Sequence, residues 1–288
     1  MVISVASGKG GTGKTYMATA LALAIDKSCQ FLDCDVEEPN SSIFLKPAIQ
    51  RTTNCLIQVP EVDYSVCKGC QKCTAVCAYH ALTCIDQKIT ILDQLCHSCG
   101  SCVILCPANA MKTKNTQVGM LRSGRAGRIE FCEGKLDIGS VSSPFIIQKV
   151  IEQKRKNIPV IIDCPPGTSC PMIAAVKESD YCILVTEATP FGLHDLSLAV
   201  DVLKELAVPF GVIINKTGIG NHEVQKYCRS EAIDILFELP FNTEIAHAYS
   251  EGTALIDIFP GYRVQLCQVY HRIKRTVKEN NESIYSNA

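Results

Sequence analysis

The chain has 288 residues, 47% of them hydrophobic, and its 28 Lys and Arg residues stand against 29 Asp and Glu. That length and apolar content suffice for one large domain with a smaller module. A net charge of −1 lacks the basic excess of a dedicated nucleic-acid binder, so no nucleic-acid partner is expected. The 18 cysteines would suit a disulfide framework only in a small secreted protein with little core.

The amino-terminal segment predicts a buried strand and not an export signal. Met1 to Ser7 is apolar without a basic leader, and the apolar stretch Met17 to Ile25 follows a glycine-rich loop instead of preceding a cleavage site. We therefore predict a cytoplasmic protein. Because no run of about 18 apolar residues occurs, we expect no membrane span.

The first elements predict a strand, a glycine loop, a helix and a second strand. The strand Val2 to Ala6 is followed by the loop, by a helix from Lys14 to Lys27, and by a strand from Gln30 to Leu32. The loop matches the phosphate-binding pattern of Gly, four residues, Gly-Lys-Thr. Glycines let backbone N–H groups turn toward phosphate oxygens, and the helix start adds partial positive charge. The predicted nucleotide loop is Gly8, Lys9, Gly10, Gly11, Thr12, Gly13, Lys14 and Thr15.

Carboxylates follow two of the predicted strands. Asp33 and Asp35 end the second strand, and Asp163 ends the apolar strand Val160 to Ile162 just before Pro165-Pro166-Gly167. Carboxylates at the carboxyl edge of a parallel sheet face the ligand crevice. Lys14 is predicted to reach the β- and γ-phosphates, and Thr15 to ligate Mg²⁺.

The segment 60–114 breaks the strand and helix rhythm and is predicted to be an insert. It carries the motif Cys-x2-Cys-x2-Cys-x3-Cys twice, a spacing typical of paired 4Fe-4S clusters whose loops exchange their fourth ligand. Zinc is the alternative, because Cys-x2-Cys pairs also bind that ion. Cluster 1 is predicted to take Cys67, Cys70, Cys73 and Cys106, and cluster 2 to take Cys77, Cys96, Cys99 and Cys102.

The rest of the chain predicts an α/β fold. Val118 to Gly139 is rich in glycine and arginine and is predicted to be irregular, whereas Arg263 to Lys278 predicts a helix packed on the domain. Unbroken apolar runs separated by helices are typical of a mostly parallel sheet covered on both faces. Those runs are Ile158 to Ile162, Tyr181 to Val185, Phe210 to Ile214 and Ile233 to Leu239, with a helix at Leu193 to Leu206.

Together, the loop with its early Lys9, the Asp-x-Asp element, the Pro-Pro-Gly segment and the cysteine motifs resemble the MinD/ParA/Mrp superfamily of deviant Walker A ATPases. The resemblance is to members with an inserted bacterial-type ferredoxin domain of α+β structure. It implies a P-loop NTPase-like fold, a dimer in which Lys9 crosses to the partner's nucleotide, and catalysis by Lys9, Lys14 and Asp35. It also implies a Mg²⁺ site at Thr15, Asp35 and Asp163, and an adenine pocket at Asn215, Pro240 and Asn242. Gly218 stands where guanine binders carry an aspartate, so ATP is favoured over GTP.

The predicted division is an ATPase domain over 1–59 and 115–288, with a 2×(4Fe-4S) ferredoxin domain over 60–114. The leading hypothesis is an ATP-hydrolysing switch, a homodimer or a heterodimer with a related ATPase. Its nucleotide state would gate electron transfer to a redox or apo-metalloprotein partner, or cluster handling. A Mrp-like iron–sulfur carrier is a second hypothesis. A MinD- or ParA-like positioning ATPase is a third, disfavoured because the chain lacks a basic face and an evident membrane helix.

Overall fold

The computed structural model describes residues 1–286. Within them, nine strands form one large sheet in the order β11-β10-β9-β1-β8-β2-β7-β6-β3, and β4 and β5 form a separate hairpin. The strands are β1 (Val2–Ala6), β2 (Cys29–Asp33), β3 (Ala48–Val62), β4 (Leu82–Ile85), β5 (Lys88–Ile91), β6 (Met111–Ala126), β7 (Ile129–Leu136), β8 (Val160–Asp163), β9 (Tyr181–Glu187), β10 (Phe210–Thr217) and β11 (Ile235–Pro240).

The helices cover both faces of this sheet. They are α1 (Lys14–Ala24), α2 (Ser41–Leu45), α3 (Lys72–Ala75), α4 (Ser101–Ile104), α5 (Ser143–Ile151), α6 (Cys170–Val176), α7 (Pro190–Glu205), α8 (Glu223–Ser230), α9 (Thr243–Ser250), α10 (Leu255–Ile258) and α11 (Gly261–Ser286). One core packs α5 to α8 on the sheet, and the other packs α1, α10 and α11 on the opposite face. The α/β fold with a mostly parallel sheet is confirmed.

Strand β1 illustrates why the central strands consist of nearly continuous apolar residues. Successive side chains of a strand point to opposite faces, and both faces are covered here. Ile3 and Val5 accordingly enter the core beneath α1, whereas Val2 and Ala6 enter the other. The carboxyl ends of β1, β8 and β2 consequently lie side by side and carry the loops that line the crevice.

The prediction that Val118 to Gly139 is irregular is wrong. Most of it lies in β6 and β7, which pair antiparallel to each other. The glycines that suggested a loop serve close packing instead. A Cβ on Gly134 would lie 2.7 Å from Ile146 and 2.9 Å from Val36, so only glycine lets α5 approach the strand this closely.

The cysteine-rich segment grows out of a long hairpin at the edge of the sheet. Strand β3 pairs antiparallel with β6 along its length, and residues 63–110 connect the two. The Asp63 amide donates to the Ala110 carbonyl at 2.7 Å where the segment leaves the hairpin. Residues 60–62 and 111–114 of the predicted insert therefore lie in the large sheet. The prediction of a helix near the carboxyl terminus is confirmed by α11, which packs against α1.

Within the described chain, no helix combines the length and the apolarity needed to cross a membrane.

Candidate functional site

The phosphate loop occupies the turn from β1 into α1. Gly11 and Gly13 have φ values of 80° and 89°, a left-handed conformation that side chains rarely adopt. Gly8 is required for a different reason, because a Cβ there would lie 2.1 Å from the Asp195 carbonyl oxygen. The loop lines a cavity of about 790 Å³. Loop residues 9–15 lie on its wall together with Asp35, Pro165, Pro166 and Tyr249.

Lys14 joins three of the predicted site residues. Its Nζ donates to Asp163 Oδ1 at 2.7 Å, to Thr15 Oγ1 at 3.2 Å and to Asp35 Oδ2 at 3.3 Å. Burial opposes the charged form, but Asp163 and Asp35 outweigh it and raise the pKa of Lys14. The lysine is therefore a fixed cation at the centre of the site, and the predicted Mg²⁺ ligands converge on it.

Asp33 and Asp35 have different surroundings. Burial raises the pKa of Asp35 to about 6, with Lys14 opposing the shift and Asp163 adding to it. Asp33 is completely buried, and burial followed by the charge of Asp163 raises its pKa well above the usual range. Its oxygens accept from the amides of Asp35 and Ser41 at 3.0 and 3.2 Å. Asp33 thus holds the loop that carries Asp35, a role that the sequence motif alone did not assign.

Lys9 lies at the rim of the cavity and turns toward its own chain. Its Nζ is 3.6 Å from Glu187 Oε2, and Lys216 Nζ contacts the other oxygen of the same carboxylate at 2.6 Å. One third of the Lys9 side chain is exposed. Neither Glu187 nor Lys216 was predicted to belong to the site.

A second, more apolar cavity of about 270 Å³ adjoins the loop at Gly11 and Gly13. All three residues of the predicted adenine pocket lie on its wall. Asn215 Nδ2 donates to the Thr12 carbonyl at 2.8 Å, and Asn242 Oδ1 accepts from the Glu244 amide at 2.7 Å and caps α9. The lining residues are Gly11, Gly13, Tyr16, Asn215, Lys216, Pro240, Phe241, Asn242, Ile245, Ala246 and Tyr249.

The aromatic wall was not predicted from the sequence. Tyr16 packs edge-on against Phe44 and Tyr249, with ring centroids 5.2 and 5.4 Å apart. Tyr249 lines both cavities. The arrangement offers an aromatic surface beside the phosphate loop, as a purine site requires.

The eight predicted cluster cysteines surround two separate cavities in the segment 63–110. Each cavity contains three cysteines of one motif and the last cysteine of the other. Cys67, Cys70, Cys73 and Cys106 line the first cavity. Cys77, Cys96, Cys99 and Cys102 line the second.

The backbone of the two motifs repeats. Gly69 and Ser98 have φ values of 62° and 55°, and His80 and Asn109 have values of 52° and 50° at corresponding positions. These turns aim amides at sulfur: the Ser98 amide donates to Cys96 Sγ at 3.4 Å, and the Ala110 amide donates to Cys106 Sγ at 3.3 Å. Hydrogen bonds of this kind favour a thiolate.

The thiols of the eight cysteines have different surroundings. In the described chain, no three His, Cys, Asp or Glu side chains converge on one ion position. Although burial opposes it, backbone amides lower the pKa of Cys106, and the Ser101 amide and hydroxyl lower that of Cys99. By contrast, burial raises the pKa of Cys73, Cys96 and Cys102, as it raises that of Cys164 at the end of β8.

The fold and the phosphate loop define a nucleotide-binding P-loop protein. A family model described as the CobQ/CobB/MinD/ParA nucleotide-binding domain matches residues 3–256. The chain belongs to this family, and it is an ATPase.

Known proteins resemble the chain at different levels. An uncharacterized protein of Methanocaldococcus jannaschii is 27% identical over 282 residues, covering 96% of this chain and 98% of its own. An iron-sulfur cluster carrier protein of Pyrococcus horikoshii is 27% identical over 112 residues, covering 34% of this chain and 38% of its own. The septum site-determining protein MinD of Pyrococcus horikoshii, solved with Mg-ADP, is 19% identical with a TM-score of 0.56. That structure aligns over 100% of this chain and 98% of its own and supports the fold alone.

Proposed function

We propose that this ATPase uses its nucleotide state to gate electron transfer between two 4Fe-4S clusters in segment 63–110 and a partner metalloprotein. The observation that carries the proposal is the sorting of eight cysteines into two cavities, each completed by a cysteine of the other motif. This exchange is the ligand arrangement of two-cluster ferredoxins. When bound, such clusters supply one-electron transfer, and zinc would not.

The nucleotide half of the proposal rests on Lys14, Thr15, Asp35 and Asp163. Lys14 would exchange its carboxylate partners for the β- and γ-phosphates, and the freed Asp163, with Thr15 and Asp35, would face Mg²⁺. Asp35 would orient the attacking water. The adenine would lie in the 270 Å³ cavity beside Asn215.

Backbone continuity supports coupling between the two halves. The Leu136 amide, at the end of β7, donates to the Val36 carbonyl at 2.8 Å, one residue from Asp35. Strand β7 pairs with β6, which continues directly into the cysteine segment. A movement of the Asp35 loop would therefore reach the insert through two neighbouring strands.

The experiment is an anaerobic preparation, assayed for iron and acid-labile sulfide, followed by stopped-flow oxidation of the reduced clusters by a small dye. We expect two cubanes per chain, and a rate that changes with Mg-ATP in the wild type but not in Lys14→Ala. Lys154→Ala, which removes a half-buried lysine paired with Glu178 away from the nucleotide site, is the matched control. Zinc in place of iron and sulfide, or equal ATP responses in wild type and Lys14→Ala, would contradict the proposal.

The second candidate is an ATP-dependent iron–sulfur carrier. Its specific support is the match to the iron-sulfur cluster carrier protein of Pyrococcus horikoshii, which covers 34% of this chain. A carrier releases its cluster to an apo-acceptor. Mixing the loaded protein with an apo-ferredoxin distinguishes the two, because a gated redox protein retains its iron through repeated reduction and oxidation.

A further inference from the structure

A row of charged side chains crosses the sheet from the ATPase site to its outer strands. Asp163 on β8 is in register with Asp33 on β2, Asp33 with Glu133 on β7, and Glu133 with Arg122 on β6. Register neighbours on adjacent strands share one face of a sheet. The three carboxylates are completely buried.

A cation closes the row at each end. Lys14 binds Asp163 at 2.7 Å, and Arg122 forms an ion pair with Glu133. A buried charge is strongly unfavourable unless it is paired, so each of these cations compensates the carboxylate next to it. Arg122 reaches its partner from the surface, with 37% of its side chain exposed.

Consecutive serines of α2 connect the middle of the row to the catalytic loop. The Ser41 hydroxyl and amide both donate to Asp33 Oδ2, and the Ser42 side chain lies against the Glu133 carboxylate. Asp33 in turn accepts from the Asp35 amide at 3.0 Å. A displacement of Glu133 would therefore also move α2, Asp33 and the loop that carries Asp35.

The outer end of the row lies on the hairpin that carries the cysteines. Arg122 is in register with Thr52 on β3, and it lies three residues along β6 from Gly119, where pairing with β7 ends and the β3–β6 ribbon continues alone. Any rearrangement of the ribbon that displaces Arg122 removes the partner of a buried carboxylate.

We propose that Glu133 is a positioning residue for ATP hydrolysis and that Arg122 makes its position depend on the β3–β6 hairpin. The first part concerns the ATPase reaction itself. The second part rests on the proposed function, because it gives the cysteine segment a route to the nucleotide site.

The test compares Glu133→Gln with Glu130→Gln. Glu130 is half-buried and forms ion pairs with exposed Arg125 on the same neighbouring strand and with exposed Arg155, and it provides the matched control. Glu133→Gln keeps the shape of the side chain and removes its charge. We expect it to lower kcat for ATP about tenfold with KM changed by less than about twofold, whereas Glu130→Gln leaves both unchanged.

Hydrogen exchange of residues 63–110 with and without Mg-ATP supplies the second readout. We expect a nucleotide-dependent change in the wild type and in Glu130→Gln that is lost in Glu133→Gln. Should Glu133→Gln fail to fold, Arg122→Gln tests the same row from its exposed end and is expected to shift kcat in the same direction.

Unchanged kcat in the folded row variants, or an equal fall in Glu130→Gln, overturns the positioning role. Exchange in segment 63–110 that responds to nucleotide as in the wild type overturns the coupling to the hairpin. Neither readout measures iron content or cluster oxidation rates, and both are taken on preparations of equal iron content, so failure of the proposed function would be recognised separately.

Discussion

Lys9 Nζ and Glu187 Oε2 lie 3.6 Å apart within one chain. The same carboxylate also binds Lys216, and only 14% of the Glu187 side chain is exposed. A lysine that acts on a partner's nucleotide must leave this contact. Exposed or half-exposed ion pairs contribute only about 0.2–1 kcal/mol, so the contact biases the position of Lys9 without locking it.

Glu187→Gln is therefore expected to strengthen ATP-dependent self-association. Removing roughly 0.5–1 kcal/mol of competing interaction corresponds to a dimer constant about twofold to fivefold tighter. Sedimentation velocity with a slowly hydrolysed ATP analogue and Mg²⁺ measures it. Glu178→Gln, which breaks an ion pair elsewhere on the surface, is the control. Weaker association, or a dimer that persists in Lys9→Ala, would contradict a role for Lys9 across the interface.

The spacing of residues in the sequence was sufficient to predict the parts of the site that are formed by short, continuous segments. The phosphate loop and each cysteine motif span only a few residues, so their chemistry can be predicted from local spacing. The sorting of cysteines into two cavities was also accessible, because Cys77 and Cys106 close each motif at the spacing that forces an exchange.

The row of charged side chains could not be predicted from local sequence. Asp33, Glu133 and Arg122 meet only through strand register, which no local pattern specifies. The glycines of β6 and β7 also hid these two strands from prediction, because glycine is typical of loops. A glycine such as Gly134 suggests a loop, but in this structure its missing side chain lets Ile146 pack against the strand.

Gly8→Ala is expected to destabilise the protein and Gly10→Ala to be tolerated. A Cβ at Gly8 would meet the Asp195 carbonyl at 2.1 Å, so α7 must shift, whereas a Cβ at Gly10 has no neighbour within 4 Å. Such overpacking costs about 1–3 kcal/mol. Urea unfolding of the two variants measures the difference, and equal midpoints would disprove the close approach of α7 to the loop.

Cys106→Ser and Cys77→Ser should each remove or destabilise one cluster. Each residue is the single contribution of its motif to the opposite cavity. We expect iron and sulfide to fall by about half in either variant. Cys84→Ser is the matched control, because this half-buried cysteine lies on β4 within the same segment. A loss of iron as large in Cys84→Ser would contradict the assignment of ligands.

Asn215→Ala is expected to weaken nucleotide binding about thirtyfold. The variant removes the bond from Asn215 Nδ2 to the Thr12 carbonyl and the proposed contact with the adenine edge, each worth about 1 kcal/mol. Calorimetric titration with Mg-ADP gives the affinity. Asn221→Ala removes an exposed asparagine whose side chain accepts from the Glu223 amide at 3.2 Å, and it serves as control. Unchanged affinity in Asn215→Ala would place the base elsewhere.

Asp35 gives ATP hydrolysis a pH dependence whose sign follows from its surroundings. Burial raises its pKa to about 6, and the proposed role of Asp35 in orienting the attacking water needs the carboxylate form. We expect kcat/KM at saturating Mg²⁺ to fall about tenfold per pH unit below this value. Asp35→Asn should be slow and lack this titration. A wild-type profile that stays flat down to pH 5 would contradict the role of Asp35.

Ionisation of Asp35 has the opposite effect on stability: as pH rises, activity is expected to increase and stability to decrease. Because the folded state holds the Asp35 proton more tightly than the unfolded state, its stabilising effect is complete below the ordinary pKa of 3.8 and is lost as pH rises through about 6. Above that pH, the wild type contains a buried carboxylate that Lys14 compensates only in part. Asp35→Asn is therefore expected to raise Tm at pH 8 and to leave it nearly unchanged at pH 4. A lower Tm for the variant at pH 8 would mean that the Lys14 ion pair outweighs burial.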